Sequence, residues 1–313
     1  MPLRPKQLRS KKIDGSDGNR DTESRRNVFS EPTKHLNNMA ITAQDVNKLR
    51  KMSGAGMMDC KKALTEANGD FDAAMDLIRK RGQAIASKRA DREATEGAAL
   101  AKVAADSKFA AVTILNCETD FVATNEGFVA LANKIIDLAI ANRPANLDAL
   151  KALSLDGATV ADKVIELSGV IGEKIDLSTY DFIEAESVAA YIHPGSKLAT
   201  IVGFNQAGVD AQIGKDVAMQ VAAMSPVAVD RNSVPQATID HELEIGRDMA
   251  RNEGKPENML DKIAQGRLNK FFKESTLMEQ EFIKNNKQNI AQYLESASKG
   301  LAATAFKRFS LNN

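Results

Sequence analysis

Three histidines (His35, His193, His241) and two cysteines (Cys60, Cys117) are the side chains best suited to metal binding or nucleophilic attack, and the sequence scatters them. No H-E-x-x-H or C-x-x-C spacing joins any of them. His193 stands just before Pro194-Gly195, where it reads as a turn residue. Both cysteines sit in apolar contexts and read as core positions, because a reactive thiol needs an electropositive setting. Two glycine-flanked stretches mimic phosphate loops and fail. Gly208-Val209-Asp210-Ala211-Gln212-Ile213-Gly214-Lys215-Asp216 has one residue too many between its glycines, and an acid where Mg²⁺ needs a hydroxyl. Gly169-Val170-Ile171-Gly172-Glu173-Lys174 departs further. These residues point to a protein that is not an enzyme and needs no cofactor or metal.

One stretch keeps a chemical character of its own: Asn116-Cys117-Glu118-Thr119-Asp120-Phe121-Val122-Ala123. It follows an apolar run over 109–115 with the length and β-branched content of a buried strand. A helical pattern comes after it, with Phe128, Leu131, Ala132, Ile135 and Ala139 on one face. A strand thus delivers a short acidic turn with one aromatic ring, and a helix leads away. On pattern alone, Asp120 is a helix-entry acid and Phe121 a core residue.

The elements around this turn divide the chain. Residues 1–38 are polar and charged with almost no apolar periodicity, and read as a disordered leader or as an upstream stretch ahead of a true start at Met39. Residues 39–82 hold three short helical patterns, the first opened by a capping box at Thr42 and Asp45 and the third carrying Phe71, Ala74, Met75 and Ile78. Three helices in so short a span suggest a bundle of the ubiquitin-associated kind. Met57 and Met58 follow a Gly-Ala-Gly turn; neighbouring helical residues point about 100° apart, so at least one of them is expected outside the small core. Residues 83–97 alternate small and charged side chains and read as a linker helix.

From 98 the period changes to strands. Residues 98–186 and 187–313 give two related α+β subdomains, each an antiparallel sheet with helices on one face, in which a strand pair, a loop and a long helix recur. Within the second, about 238–284 reads as a projecting helical hairpin, a short antiparallel coiled coil, split by Gly254 and Pro256. A last strand over 301–309 is expected to join the sheet.

Charge and composition set limits. Lys plus Arg equals Asp plus Glu at 42 each, so no global field favours nucleic acid or a membrane. The balance is uneven: residues 1–38 carry nine basic and five acidic side chains. No apolar run approaches the roughly 20 residues of a membrane-spanning helix. Two isolated cysteines suit a reduced, cytoplasmic setting.

With these residues in view, the chain from Met39 resembles the bacterial translation elongation factor Ts family at two motifs. One is Leu49-Arg50-Lys51-Met52-Ser53-Gly54-Ala55-Gly56-Met57-Met58-Asp59-Cys60-Lys61-Lys62-Ala63-Leu64; the other is the stretch from Asn116 to Ala123. The resemblance implies a guanine nucleotide exchange factor that binds elongation factor Tu, both GDP-bound and nucleotide-free. It also implies that Arg50, Met57 and Met58 meet Tu's nucleotide-binding domain. Thr119, Asp120, Phe121 and Val122 would intrude near Tu's Mg²⁺ site, and Met219 and Gln220 would make a second contact from the helix that carries them. Many relatives have His in place of Gln220, and some continue into a C-terminal helical module that grips Tu. A helical arm of this kind can also support a homodimer. The rival reading is a non-enzymatic adaptor whose bundle binds a protein or nascent chain; it explains the methionines and leaves the acidic turn without a task.

Overall fold

The computed structural model describes residues 41–311; the leader expected over 1–38 lies outside them. Helices α1 (Ala43–Ser53), α2 (Met57–Glu66) and α3 (Phe71–Lys88) form a small bundle. Their starts follow from local chemistry. Thr42 and Asp45 complete a reciprocal capping box on α1, and the Asp70 carboxylate accepts from the Asp72 and Ala73 N–H groups at the head of α3. Their shared core is Val46, Leu49, Cys60, Ala63, Leu64, Ala74 and Ile78.

The region expected as a linker helix over 83–97 is divided. Helix α3 runs on to Lys88, and strand β1 (Glu96–Val103) begins two residues earlier than its pattern suggests. Strand β2 (Phe109–Cys117) follows, then the single-turn helix α4 (Asp120–Ala123), α5 (Glu126–Asn142) and α6 (Leu147–Ala152). A two-residue ladder, β3 (Ser154–Leu155) with β4 (Ala158–Thr159), precedes α7 (Val160–Ile171) and strand β5 (Asp176–Glu184). The second half supplies β6 (Ser187–Ile192), β7 (Leu198–Phe204) and α8 (Ala211–Met224). Two longer helices, α9 (Gln236–Asn252) and α10 (Leu260–Ser275), pack as a hairpin, with Ile239 and Leu243 against Leu268 and Phe272. Strands β8 (Glu281–Phe282) and β9 (Asn285–Asn289), helix α11 (Ile290–Ala297) and strand β10 (Ala303–Ser310) complete the described chain.

Two three-stranded antiparallel sheets result, ordered β1-β2-β5 and β10-β7-β6, so the strand expected near the end does pair with a sheet. The pleat explains why β2 is buried along its whole length. Phe109, Ala111, Leu115 and Cys117 face α5 and α7, while Ala110, Val112 and Ile114 meet Ala199 and Ile201 of the second sheet. The sheets approach closely because β7 carries Gly203, where an added Cβ would stand 2.8 Å from the Ile183 side chain. Helix α8 covers the outer face of the second sheet through Val217, Ala218 and Val221 against Val202 and Phe204. This is a mixed fold of helices and antiparallel sheets. No helix among the described residues is long and apolar enough to cross a membrane.

The bundle is held to the core where α3 crosses α7. A Cβ on Gly169 would overlap the backbone of Gly82, so the two helices touch through bare main chain. A groove of about 290 Å³ beside the crossing is lined by Ala55, Ile78, Ile85 and Val170, with Asp59 and Arg81 among its charged residues.

Candidate partner-binding surfaces

Strand β2 ends at Cys117, whose thiol is buried and donates to the Thr119 carbonyl at 3.1 Å. Burial, helped by the Glu173 charge, pushes that thiol up to about 12, so it stays protonated and serves packing. Thr119 takes the N-cap position of α4 in extended backbone geometry, yet its side chain makes no capping bond to the helix. It is used elsewhere: the hydroxyl donates to Glu173 Oε1 at 2.8 Å and the backbone N–H donates to Glu173 Oε2 at 3.1 Å. Thr124 Oγ1 closes the turn onto the Phe121 carbonyl at 3.0 Å, and Asn125 caps α5 through Gly127 N–H at 2.9 Å.

Within this turn the apolar side chains separate. Val122 is buried in the first core, and Phe121 is 83% exposed. Asp120 and Phe121 stand outward and Thr119 is half-buried. The pattern reading of Phe121 as a core residue is therefore corrected: Val122 occupies the inward position, and a neighbour about 100° round the helix must point away.

Glu118 anchors the same turn from the other side. Its carboxylate accepts the Lys174 N–H at 2.6 Å, Arg89 at 2.9 Å and Arg92 at 3.0 Å. Burial opposes its charge, but these donors outweigh burial and hold the carboxyl down to about 2. Neither Glu118 nor Glu173 stood out in the sequence as a working residue. The available signal was Glu173-Lys174 directly after Gly172, in the stretch dismissed as a failed phosphate loop.

On the bundle, Ser53 and Cys60 shape the loop between α1 and α2. Ser53 Oγ donates to the Leu49 carbonyl at 2.8 Å and accepts from Ala55 N–H at 3.2 Å. Helix α2 turns Cys60, Ala63 and Leu64 inward, which leaves Met57 and Met58 at 52% and 65% exposure. Both methionines are outside the core, along with Met52 and Arg50 at the end of α1.

The third set behaves differently. Met219 is half-buried, but Gln220 is fully buried. Its amide donates to the Glu281 carbonyl at 3.1 Å and accepts from Ile283 N–H at 2.9 Å, fastening the β8–β9 hairpin to α8. Gln220 is thus engaged within the chain, beneath the half-buried Met219. The Gly208–Asp216 mimic of a phosphate loop lies at the start of α8, where Asp210 caps Gln212 and Ile213, and buried Asp216 binds Lys284, Gln212 and Tyr293. Among the described residues, no three His, Cys, Asp or Glu side chains gather as a metal site.

Comparison with known proteins places the chain in a family. The profile described as Elongation factor TS matches residues 118–313. The chain is also 54% identical over 275 residues to elongation factor Ts of Porphyromonas gingivalis, covering 88% of this chain and 99% of that relative. The chain belongs to the elongation factor Ts family. The Amoebophilus asiaticus member is 54% identical over 272 residues, covering 86% of this chain and 98% of its own. The Christiangramia forsetii member is 51% identical over 272 residues, with 87% and 98% covered. Elongation factor Ts belongs to translation elongation, a part of protein biosynthesis.

Proposed function

We propose that this chain is a cytoplasmic guanine nucleotide exchange factor for elongation factor Tu. It binds Tu–GDP, promotes GDP release by disturbing the Mg²⁺ and phosphate site of Tu, and lets GTP rebind. The observation that carries this reading is Phe121, a large ring left 83% exposed on a fastened turn. Folding gains nothing from that exposure; a partner does.

An exchange factor needs no covalent chemistry. It must prefer nucleotide-free Tu to Tu–GDP, and the ratio of the two affinities is the loosening it imposes on GDP. Seating one phenylalanine in a crevice is worth roughly 1.5–3 kcal/mol, which is about a 10–100-fold change in an equilibrium constant. If the crevice opens only when the Mg²⁺-side elements of Tu shift, that energy goes into removing support from the ion. Asp120 biases the local charge, and Thr119 and Val122 set the pose of the ring.

In the same reading, residues 39–82 are a ubiquitin-associated-like domain that meets Tu's nucleotide-binding domain through Arg50, Met57 and Met58. Residues 98–186 and 187–313 are the two core subdomains, Met219 adds a contact from the second, and the α9–α10 hairpin is a coiled-coil arm. The exposed methionines also suit the adaptor reading, in which the bundle holds a protein or nascent chain. Stopped-flow release of fluorescent GDP from Tu separates the two. Exchange activity predicts faster release as the chain is added; an adaptor leaves the off-rate unchanged.

A further inference from the structure

The turn that presents Phe121 is gripped by two glutamates in a reciprocal pattern. Glu118 reaches across to the N–H of Lys174, and Glu173 reaches back to the N–H of Thr119, so each acid satisfies the residue that follows the other. The Thr119 hydroxyl adds a second bond to Glu173. Charge-assisted bonds of this kind are among the stronger ones, and two of them on successive residues fix a direction as well as a distance.

The grip extends beyond the turn. Arg89 and Arg92, at the end of α3 and just after it, both bind Glu118. Lys174 Nζ donates to the carbonyls of Ala90 at 2.7 Å and Arg92 at 2.8 Å. Ser168 Oγ, on α7, donates to the Glu173 carbonyl at 2.5 Å. The segment leaving the bundle, the end of α7 and the Phe121 turn are thereby joined around one pair of carboxylates.

We propose that Glu118 and Glu173 are positioning residues for nucleotide exchange, forming a clasp that aims Phe121 and sets its place relative to the methionine surface of the bundle. This rests on the exchange reading above. Neither acid is required to touch the partner: Glu118 is spent on Lys174, Arg89 and Arg92, and Glu173 on Thr119. The clasp acts by removing freedom from the ring before association. A loosened turn still meets Tu through the bundle but inserts Phe121 less often in the productive pose.

The test is GDP release from Tu followed over a range of factor concentrations for wild type, Glu173→Ala, Glu173→Gln, Phe121→Ala and the Glu173→Ala/Phe121→Ala double variant. Misaiming the ring should lower the maximal release rate of Glu173→Ala by roughly 10-fold, with little change in the half-saturating concentration. Glu173→Gln keeps an acceptor for Thr119 and should recover most of the rate. The double variant should be no slower than Phe121→Ala, because a clasp without a ring to aim has nothing left to do. Wild-type rates for Glu173→Ala beside a slow Phe121→Ala would overturn the clasp alone, as would additive losses in the double variant. A wild-type rate for Phe121→Ala would overturn the exchange reading beneath it. Should Glu173→Ala fail to melt cooperatively, Thr119→Val deletes the hydroxyl donor alone and carries the same comparison.

Discussion

In the first half of the core the chain leaves central strand β2 through Glu118 and Thr119 and reaches α5 by way of the extra turn α4; in the second half it leaves β7 through Asn205 and Gln206 and enters α8 directly. The two exits occupy matching places, because each central strand lies between an earlier hairpin partner and a later third strand. Both are fastened to the loop that precedes that third strand. In the first half the fasteners are carboxylates: Glu118 on Lys174 and Glu173 on Thr119. In the second they are amides: Asn205 binds Gly300 and Ala302, and Gln206 binds Lys299 and Ser298. The aromatic residues part company too, since Phe204 is buried at the strand end and Phe121 is exposed on the added turn. One plan therefore gives a closed joint and a presenting joint. The difference lies in the helical turn Asp120–Ala123 formed within the first connection, residues 118–125, where the second, residues 205–210, forms none.

The largest effect that would break this contrast is on stability. Phe204→Ala should cost about 3–5 kcal/mol in urea unfolding, as a fully buried ring does. Phe121→Ala should stay within about 0.5 kcal/mol of wild type, as an exposed position does. Equal losses at the two sites would erase the distinction between the joints.

The next effect separates charged fasteners from neutral ones. The folded-state value of Glu118, about 2, lies below its ordinary 4.5. Its contribution is therefore complete above about pH 4.5 and is lost as pH falls from there through about 2. Glu118→Gln should cost on the order of 1–3 kcal/mol at pH 7, and the gap to wild type should shrink as the solution is acidified toward pH 3. Asn205→Ala, measured alongside, should cost about 1 kcal/mol with no such narrowing. A Glu118→Gln deficit that is flat with pH would contradict the electrostatic account of the first joint. The smallest effect expected is on the bundle: Met57→Ala and Met58→Ala should each shift unfolding by less than about 0.5 kcal/mol, while raising the concentration of factor needed for half-maximal exchange.

Much of this architecture was legible because apolar side chains and caps report it locally. Strand β7 followed by helix α8 repeats the strand-then-long-helix order that the pattern of the second half indicates, and the continuous apolar run of β2 reflects a strand covered on both faces. The face-to-face packing of the sheets was not legible, since alternation along a strand does not say what covers each side. The clasp escaped for a different reason. Glu118 and Glu173 lie far apart in the chain, and a polar side chain that serves a distant backbone N–H leaves no periodic mark. Gln220 could have been caught: it lies beside Val221 on the buried stripe of α8, where an amide has to find partners. Strand β9, with the sequence Asn-Asn-Lys-Gln-Asn, carries no strand pattern and is formed by its antiparallel partner β8.

In the proposed exchange the first joint places the Phe121 ring against Tu, and the rate at which Tu loses fluorescent GDP with saturating Phe121→Ala factor tests this directly. Release should be roughly 10–100-fold slower than with wild type, from a variant whose melting is unchanged. Release at the wild-type rate from that folded variant would contradict it.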